Sequence, residues 1–567
     1  MKMRKLLKSH KAWLLCLIPI FIGLCLLWLK RDLRPIHHDE SLHALYGLYY
    51  YFDPAKLFYK YDPMLHGPLL YHLMPWVYHF LDESLSALRF LPALFFTLLP
   101  IGFTILLKER LGKRYLIPAA LLLTSPGFIY WGNFLRHDGL VLFLLMASGF
   151  SIYSRFKKIS SIIFLIALAL QFCTKENSYI HLVFILAFAF FDYFVSKKDS
   201  LIKPLFNNKK WIVIIGIILS AFIYSYYYSG GFRYSEGIID GLFRKSLAYW
   251  SNQHSVERLT GPFLTQFFVL LWYDLPILLI LIFSVFKIHW ERSLPFRIIP
   301  FASLIIGACF HLSYGHDISS ASLWSSVFKV KLGIDFYGFF FLLITSVTGT
   351  WLLIKNNTRL LAFFYYWTFA SFFTYSFLGE KVPWLSLYTL VSGIIFIAYY
   401  YKDLKENIFV PLFTITLLFN GYQAYQLKFN NAGSKTEFIS QVHTSKDYQK
   451  LASDLRLLLD SKKGIEVLAL RDNSWPLSWF LYKRDGFSYF QGGRDYTEFD
   501  VVLDKWPSQL KIEGYEVKRL PLRHWWVPDW NLLTWSRALS YSFKHKPWNA
   551  PGEQYILVYY KKGLLNF

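Results

Sequence analysis

The sequence predicts a helical protein that crosses a membrane many times and carries a small α/β domain at its C-terminal end. Three observations lead there. Of the 567 residues, 55% are hydrophobic and 20% aromatic, and mean hydropathy is +0.32. Apolar runs of span length recur as far as residue 426, which a soluble chain of this size would not carry. Beyond residue 427 the pattern changes to one amphipathic helix and several short alternating runs. The division is therefore 1–426 and 427–567.

The net charge of +23 does not imply nucleic acid, because the basic residues cluster between apolar runs, where they set membrane orientation. Cys16, Cys25, Cys173 and Cys309 lie in or beside apolar stretches, with neither a disulfide framework nor a zinc spacing. The first run, Ala12 to Leu29, lacks a small-residue cleavage site and reads as an uncleaved span.

Five basic residues precede that run, which puts the N-terminus in the cytoplasm and the 30–85 loop outside. Within the loop, Asp39–Phe52 and Gly67–Phe80 are too short or too polar to span, and read as helices lying in the interface plane. About thirteen spans follow from the pattern, near 12–29, 86–107, 115–132, 139–154, 159–173, 179–195, 211–228, 263–286, 297–313, 336–354, 360–378, 385–401 and 408–426. This parity places KERLGKR, RFKK, KNNTR and YKDLKEN inside. In the C-terminal part, SKDYQKLASDLRLLLDSKK reads as a helix, and IEVLAL, FSYF, DVVLD and YEVKRL as strands, outside the membrane.

The same parity turns every unusual polar cluster to the external face: HHDE (37–40), YDPMLHGP (61–68), RHD (136–138), TKEN (174–177), ERLTGP (257–262) and GEKVPW (379–384). Six clusters on one side suggest one site built from several span ends. Ionisable groups beside a bilayer are costly, and so mark candidate functional residues. Asp39 is the candidate general base, with a pKa raised toward neutrality by desolvation; its structural alternative is a helix N-cap. Glu40 beside it is a second catalytic, capping or metal-binding candidate. Asp138 is the second carboxylate. Arg136, His137, His66, Lys175, Arg258 and Lys381 are candidate phosphate contacts, against snorkelling or local ion pairs as the bland readings. Glu40, His66 and Asp138 could instead hold a divalent metal ion, though no strong metal spacing is present.

HHDESLHALYGL, YDPMLHGPLLYHL, ALRFLPALF, LRHDGL, TKENSY, ERLTGP, GEKVPWL and RDNSWPLSWFL occur in this order. Together they resemble the GT-C superfamily of polyprenyl-phosphate-sugar-dependent glycosyltransferases. Within it the chain is similar to the protein O-mannosyltransferase and aminoarabinose transferase branch, and more so to the flippase-activity-associated membrane proteins. The resemblance covers nearly the whole chain. It implies a GT-C-like fold, a first-loop acidic base at Asp39 with Glu40 beside it, a second acidic position at Asp138, and a groove that admits a lipid donor. Ser386-Leu387-Tyr388 departs from the pattern, where a histidine is expected.

The reading is a multi-pass enzyme of the cell's inner (plasma) membrane. It transfers a hexose or pentose from a polyprenyl-phosphate donor to a lipid, glycan or protein acceptor on the extracytoplasmic face, with no nucleic acid involved. The alternatives are a non-catalytic accessory protein in the translocation of lipid-linked glycans, and a metal-dependent hydrolase of lipid phosphates.

Overall fold

The computed structural model describes residues 16–53, 60–153, 159–196, 209–255, 259, 261–319, 322–470, 475–490 and 495–565. Every predicted span coincides there with a helix or with a helix broken once. Seven described helices are long and apolar enough to cross a membrane by themselves, among them Asn177–Ser196, Asp335–Lys355 and Pro383–Tyr400. Others, such as Cys16–Trp28 and Ser160–Phe172, are shorter. The chain is a multi-pass membrane protein.

Two of the breaks lie beside prolines. Ser125 precedes Pro126 and separates Ile117–Thr124 from Pro126–Trp131, its hydroxyl accepting from the Phe128 amide at 3.2 Å. Asp274 precedes Leu275-Pro276 and separates Thr265–Tyr273 from Leu275–Trp290. Proline supplies no N–H to the preceding turn, so each helix restarts there.

In the loop after the first apolar helix, helices His38–Phe52 and Leu69–Phe80 form as expected and pack on one another. Gly47 permits the crossing, since a Cβ there would lie 2.6 Å from Cβ of Met74. The loop helix begins at His38 rather than at Glu40, so Asp39 is not the N-cap; His37 is.

The C-terminal part holds helix Lys446–Ser461 and a six-stranded sheet. Its strands are β1 (His443–Thr444), β2 (Val467–Leu470), β3 (Phe487–Phe490), β4 (Val501–Lys505), β5 (Tyr515–Trp525) and β6 (Gly552–Lys561), in the order β1-β5-β6-β4-β2-β3. β2 pairs parallel with β3 and β4, and the remaining pairs are antiparallel. Contacts that tie the C-terminal part to the helical part include the following. His37 forms a bridge with His443. Trp272 packs among Trp526, Trp530, Tyr541 and Trp548, while Tyr273 donates to Glu437 at 2.9 Å. The four cysteines are free thiols.

Candidate active site

The site starts from a cap. His37 Nδ1 accepts from the Asp39 amide at 3.0 Å, and Glu40 Oε2 accepts from the His37 amide at 2.9 Å. This is a capping box with an imidazole in place of the usual hydroxyl. Successive helical residues point about 100° apart. The two adjacent carboxylates therefore leave the helix in different directions, and the surroundings separate them completely.

Glu40 points inward and is wholly buried. Arg89 binds both its oxygens (Nε to Oε1 2.9 Å, Nη2 to Oε2 2.8 Å), Arg34 adds a contact at 3.3 Å, and the Leu135 amide donates to Oε1 at 3.1 Å. Burial opposes its ionisation, but Arg89 and Arg34 outweigh that and hold the carboxyl below its ordinary range. Glu40 does not line the cavity described below. Both its oxygens are engaged by Arg89 and Arg34, which tie the segment before RHD to the loop helix, and we propose a structural role for Glu40 in place of the catalytic and metal roles expected of it.

That clamp sets the next residue. Arg136 forms an ion pair with Asp39 through Nη1, and its Nε lies 3.5 Å from Asp138 Oδ2. Its guanidinium also stacks on Trp384, 3.8 Å from the ring centre. Asp39 and Asp138, 99 positions apart in the chain, thus share one cation. Burial resists the charge on Asp39, but the Arg136 guanidinium holds its carboxyl well below the usual range. The expected upward shift is therefore reversed: desolvation is present, and the guanidinium overrides it.

Asp138 is buried beneath this pair. Lys175 Nζ donates to both its oxygens (2.8 and 2.9 Å), and the Tyr388 hydroxyl donates to Oδ1 at 2.8 Å. Tyr388 belongs to the segment where a histidine was expected, and it holds a carboxylate. Asp138 does not line the cavity, whereas Lys175 and Arg136, the cations it positions, both do.

The HGP turn adds a second acid–base pair. His66, at φ +64°, places Nδ1 2.7 Å from Glu176 Oε2, and Tyr61 donates to Glu176 Oε1 at 2.5 Å. Gly67 is needed for this approach: a Cβ there would lie 2.3 Å from the Cys173 carbonyl oxygen, and its own amide donates to Thr174 O at 3.0 Å. Trp250 stacks on the His66 ring at 5.7 Å with 15° between planes. His43 donates through Nδ1 to the Tyr71 hydroxyl at 2.8 Å, and that hydroxyl in turn donates to Leu65 O at 2.6 Å.

These groups surround a cavity of about 500 Å³. Asp39, His37, His38, His43, His66, Arg136, Lys175 and Glu176 supply its polar wall. Leu42, Ile180, Leu247, Leu259, Leu378 and Leu385 supply an apolar one. A charged end beside an apolar wall suits an amphiphile whose polar group is anionic.

Not every expected residue reaches the cavity. His137 is buried between His43 and His66, with neither ring nitrogen hydrogen-bonded. Lys381 is buried and donates to the Ser376 carbonyl; its neighbours Glu380 and Val382 line the cavity and it does not. Arg258 and Glu257 lie outside the described residues. Sequence reading missed Trp250 on helix Ser246–Gln253, and Gln441 and Val442 from the C-terminal part, all of which line the cavity. It also missed Arg89, whose signal was a lone arginine at the start of an otherwise apolar span.

Glu40, His66 and Asp138 do not fit a metal ion. Glu40 and Asp138 already have their oxygens taken by Arg89, Arg34, Lys175 and the Tyr388 hydroxyl, and a metal ion would have to displace these donors. Among the described residues no group of three or more His, Cys, Asp or Glu side chains has a metal-holding arrangement.

No family model matches this sequence, and no curated protein matches it. Solved structures to which this chain is similar include the oligosaccharyltransferase of Archaeoglobus fulgidus tethered to an acceptor peptide. It is 14% identical with a TM-score of 0.47, the match covering 88% of this chain and 69% of that one. ArnT of Cupriavidus metallidurans bound to undecaprenyl phosphate is 9% identical with a TM-score of 0.45, covering 97% and 98%. The apo form of that ArnT is 11% identical, also at 0.45, covering 86% and 87%. At these values the reading of the site rests on its own residues.

Proposed function

We propose that the chain is a membrane glycosyltransferase of the GT-C type. It moves one sugar from a polyprenyl-phosphate donor to an acceptor hydroxyl on the extracytoplasmic face, in a cell envelope's inner membrane. The observation that carries this is the cavity in which the Asp39 carboxylate and the Arg136 and Lys175 cations share one space beside an apolar wall. The order of the motifs along the chain supports the same reading.

The acceptor oxygen attacks the anomeric carbon, forming the new C–O bond. The bond from that carbon to the phosphate oxygen breaks, and its electron pair leaves with the polyprenyl phosphate. Asp39 takes the acceptor proton. Arg136 and Lys175 stabilise the charge that grows on the departing phosphate. In the resting state Asp39 is a weak base, because Arg136 holds it ionised. A donor phosphate that engages Arg136 loosens that pair, and desolvation then raises the proton affinity of Asp39 as the acceptor arrives. Asp138 acts through Lys175 and Arg136 as a positioning residue. Residues 427–567 are read as an extracytoplasmic domain that closes the cavity with Gln441 and Val442.

The experiment supplies the purified protein with polyprenyl-phosphate sugars, with and without candidate acceptors. Sugar transfer that requires the acceptor is the expected result. Sugar release without an acceptor would make the protein a hydrolase.

One observation favours the accessory reading: the helices broken at Ser125 and Asp274 face each other, a Cβ on Gly127 falling 3.1 Å from Asp274 Oδ2. Discontinuous helices with a buried charge also occur in transporters. Flipping of a labelled lipid-linked glycan by the protein in vesicles, with no transfer of sugar, would establish that reading instead.

A further inference from the structure

A second cluster of cations lies behind Glu40. Arg34, which touches Glu40, also lines a small separate cavity of about 20 Å³ together with Arg31, Tyr130, Asn133, Leu427 and Lys428. Arg34 is 6% exposed; its Nη2 donates to Asn133 O at 2.5 Å, while its Nε and Nη1 are buried with no hydrogen-bond partner. Nε and Nη1 of Arg31 are in the same position. Lys428 Nζ donates to Asn133 Oδ1 at 2.8 Å.

Buried donors on charged groups are rarely left without acceptors, because each costs more than a neutral one. A water molecule could accept from them but would not balance their charge. The nearby carboxylates are Glu40, already bound through both oxygens by Arg89, and Asp32, which acts on Arg31 from a distance. Three cations thus face a space that holds roughly one oxygen-sized group. Arg31 comes three residues after the end of helix Cys16–Trp28 and stacks on Trp28 at 5.1 Å, while Lys428 follows helix Glu406–Tyr425. Two span ends and a tryptophan put this niche at the level of lipid headgroups.

We propose that Arg31, Arg34 and Lys428 form a binding site for a phosphate group carried by a membrane lipid, distinct from the cavity of Asp39. One phosphate oxygen enters the niche and accepts from Arg34 and Arg31, and Lys428 closes over the mouth.

The test uses the full chain, purified in detergent, and native mass spectrometry with three probes: phosphatidylglycerol, diacylglycerol and inorganic phosphate. The expected result is one phosphatidylglycerol retained, with no retention of diacylglycerol. Arg31→Gln together with Lys428→Gln then weakens retention on the order of a hundredfold, as expected for two lost charge-assisted contacts. If that double variant does not fold, Lys428→Gln alone, at the partly exposed mouth, weakens retention on the order of tenfold. Displacement of the lipid by inorganic phosphate at equal concentration keeps the site but makes free phosphate its occupant. Equal retention of diacylglycerol, or variants that hold phosphatidylglycerol as the natural protein does, would overturn the proposal.

Discussion

Replacing Glu40 with Gln separates the two adjacent carboxylates by what each one fails to do. Glu40 accepts from Arg89 twice, from Arg34, and from the amides of His37 and Leu135, all in a site closed to water. The amide has one oxygen where the carboxylate has two, and it presents an N–H group to these donors. Arg89, itself fully buried, is left without a counter-charge. Breaking one side of such a pair costs about 3–5 kcal/mol. We expect E40Q to lower the thermal unfolding midpoint of the detergent-solubilised protein by several degrees, with activity lost in proportion to folded protein. A second change, Arg89→Met, removes the stranded cation but also the donor to the Arg31, Arg34 and Pro35 carbonyls, so the double variant loses less than the sum of the two single changes. The assay is a thermal-shift measurement on all four proteins beside transfer per folded molecule. An E40Q protein that melts as the natural one does and still fails to transfer would make Glu40 catalytic and refute its structural assignment.

Further outcomes follow from the same geometry. Burial holds the His37 imidazole down to about 4 and that of His43 to about 3, so the unfolded chain takes up these protons below about pH 6.5 while the folded chain does not. Stability therefore declines as pH falls from about 6.5 to about 4, by about 3 kcal/mol for His37 alone, and thermal midpoints at successive pH values check this; a flat profile would contradict it. Asp39, held ionised, gives the apo enzyme no acid limb near neutrality in the pH profile of kcat/KM; a limb between pH 6 and 7 would point to another base. Gly67→Ala drives a Cβ into the Cys173 carbonyl, costing about 1–3 kcal/mol and moving His66 from Glu176, read as a lower melting midpoint and weaker transfer. Asp138→Asn frees Lys175 and Arg136, and raises the KM for donor more than a change at Trp250 does; equal effects would remove Asp138 as the positioning group.

Much of the fold was legible because its physics is local. Apolar runs of span length and basic ends are written in consecutive residues, and so are the helix Lys446–Ser461 and strands β2 to β5, whereas the breaks at Ser125 and Asp274 inside two of those runs were not read. What escaped depends on distant partners. β6 pairs with both β4 and β5, and β1 is two residues long, so neither announces itself in sequence. Helix Trp535–Lys544 owes its place to the tryptophans around Trp272. At the site, the meeting of Asp39 with RHD and TKEN was readable from the shared face of the loops. The division of labour between Asp39 and Glu40 was not, because it depends on Arg89 reaching back 49 positions. The sign of the shift at Asp39 was missed for the same reason: desolvation is visible in a sequence, and Arg136 beside it is not.

The most direct measurement is transfer by the Asp39→Asn protein, scored per folded molecule with donor and acceptor saturating. An amide of the same shape cannot take a proton, so kcat falls by about 10²–10⁴ while the melting midpoint and donor retention stay near their natural values. Transfer at the natural rate by that variant would contradict Asp39 as the base, and with it the chemistry assigned to this cavity.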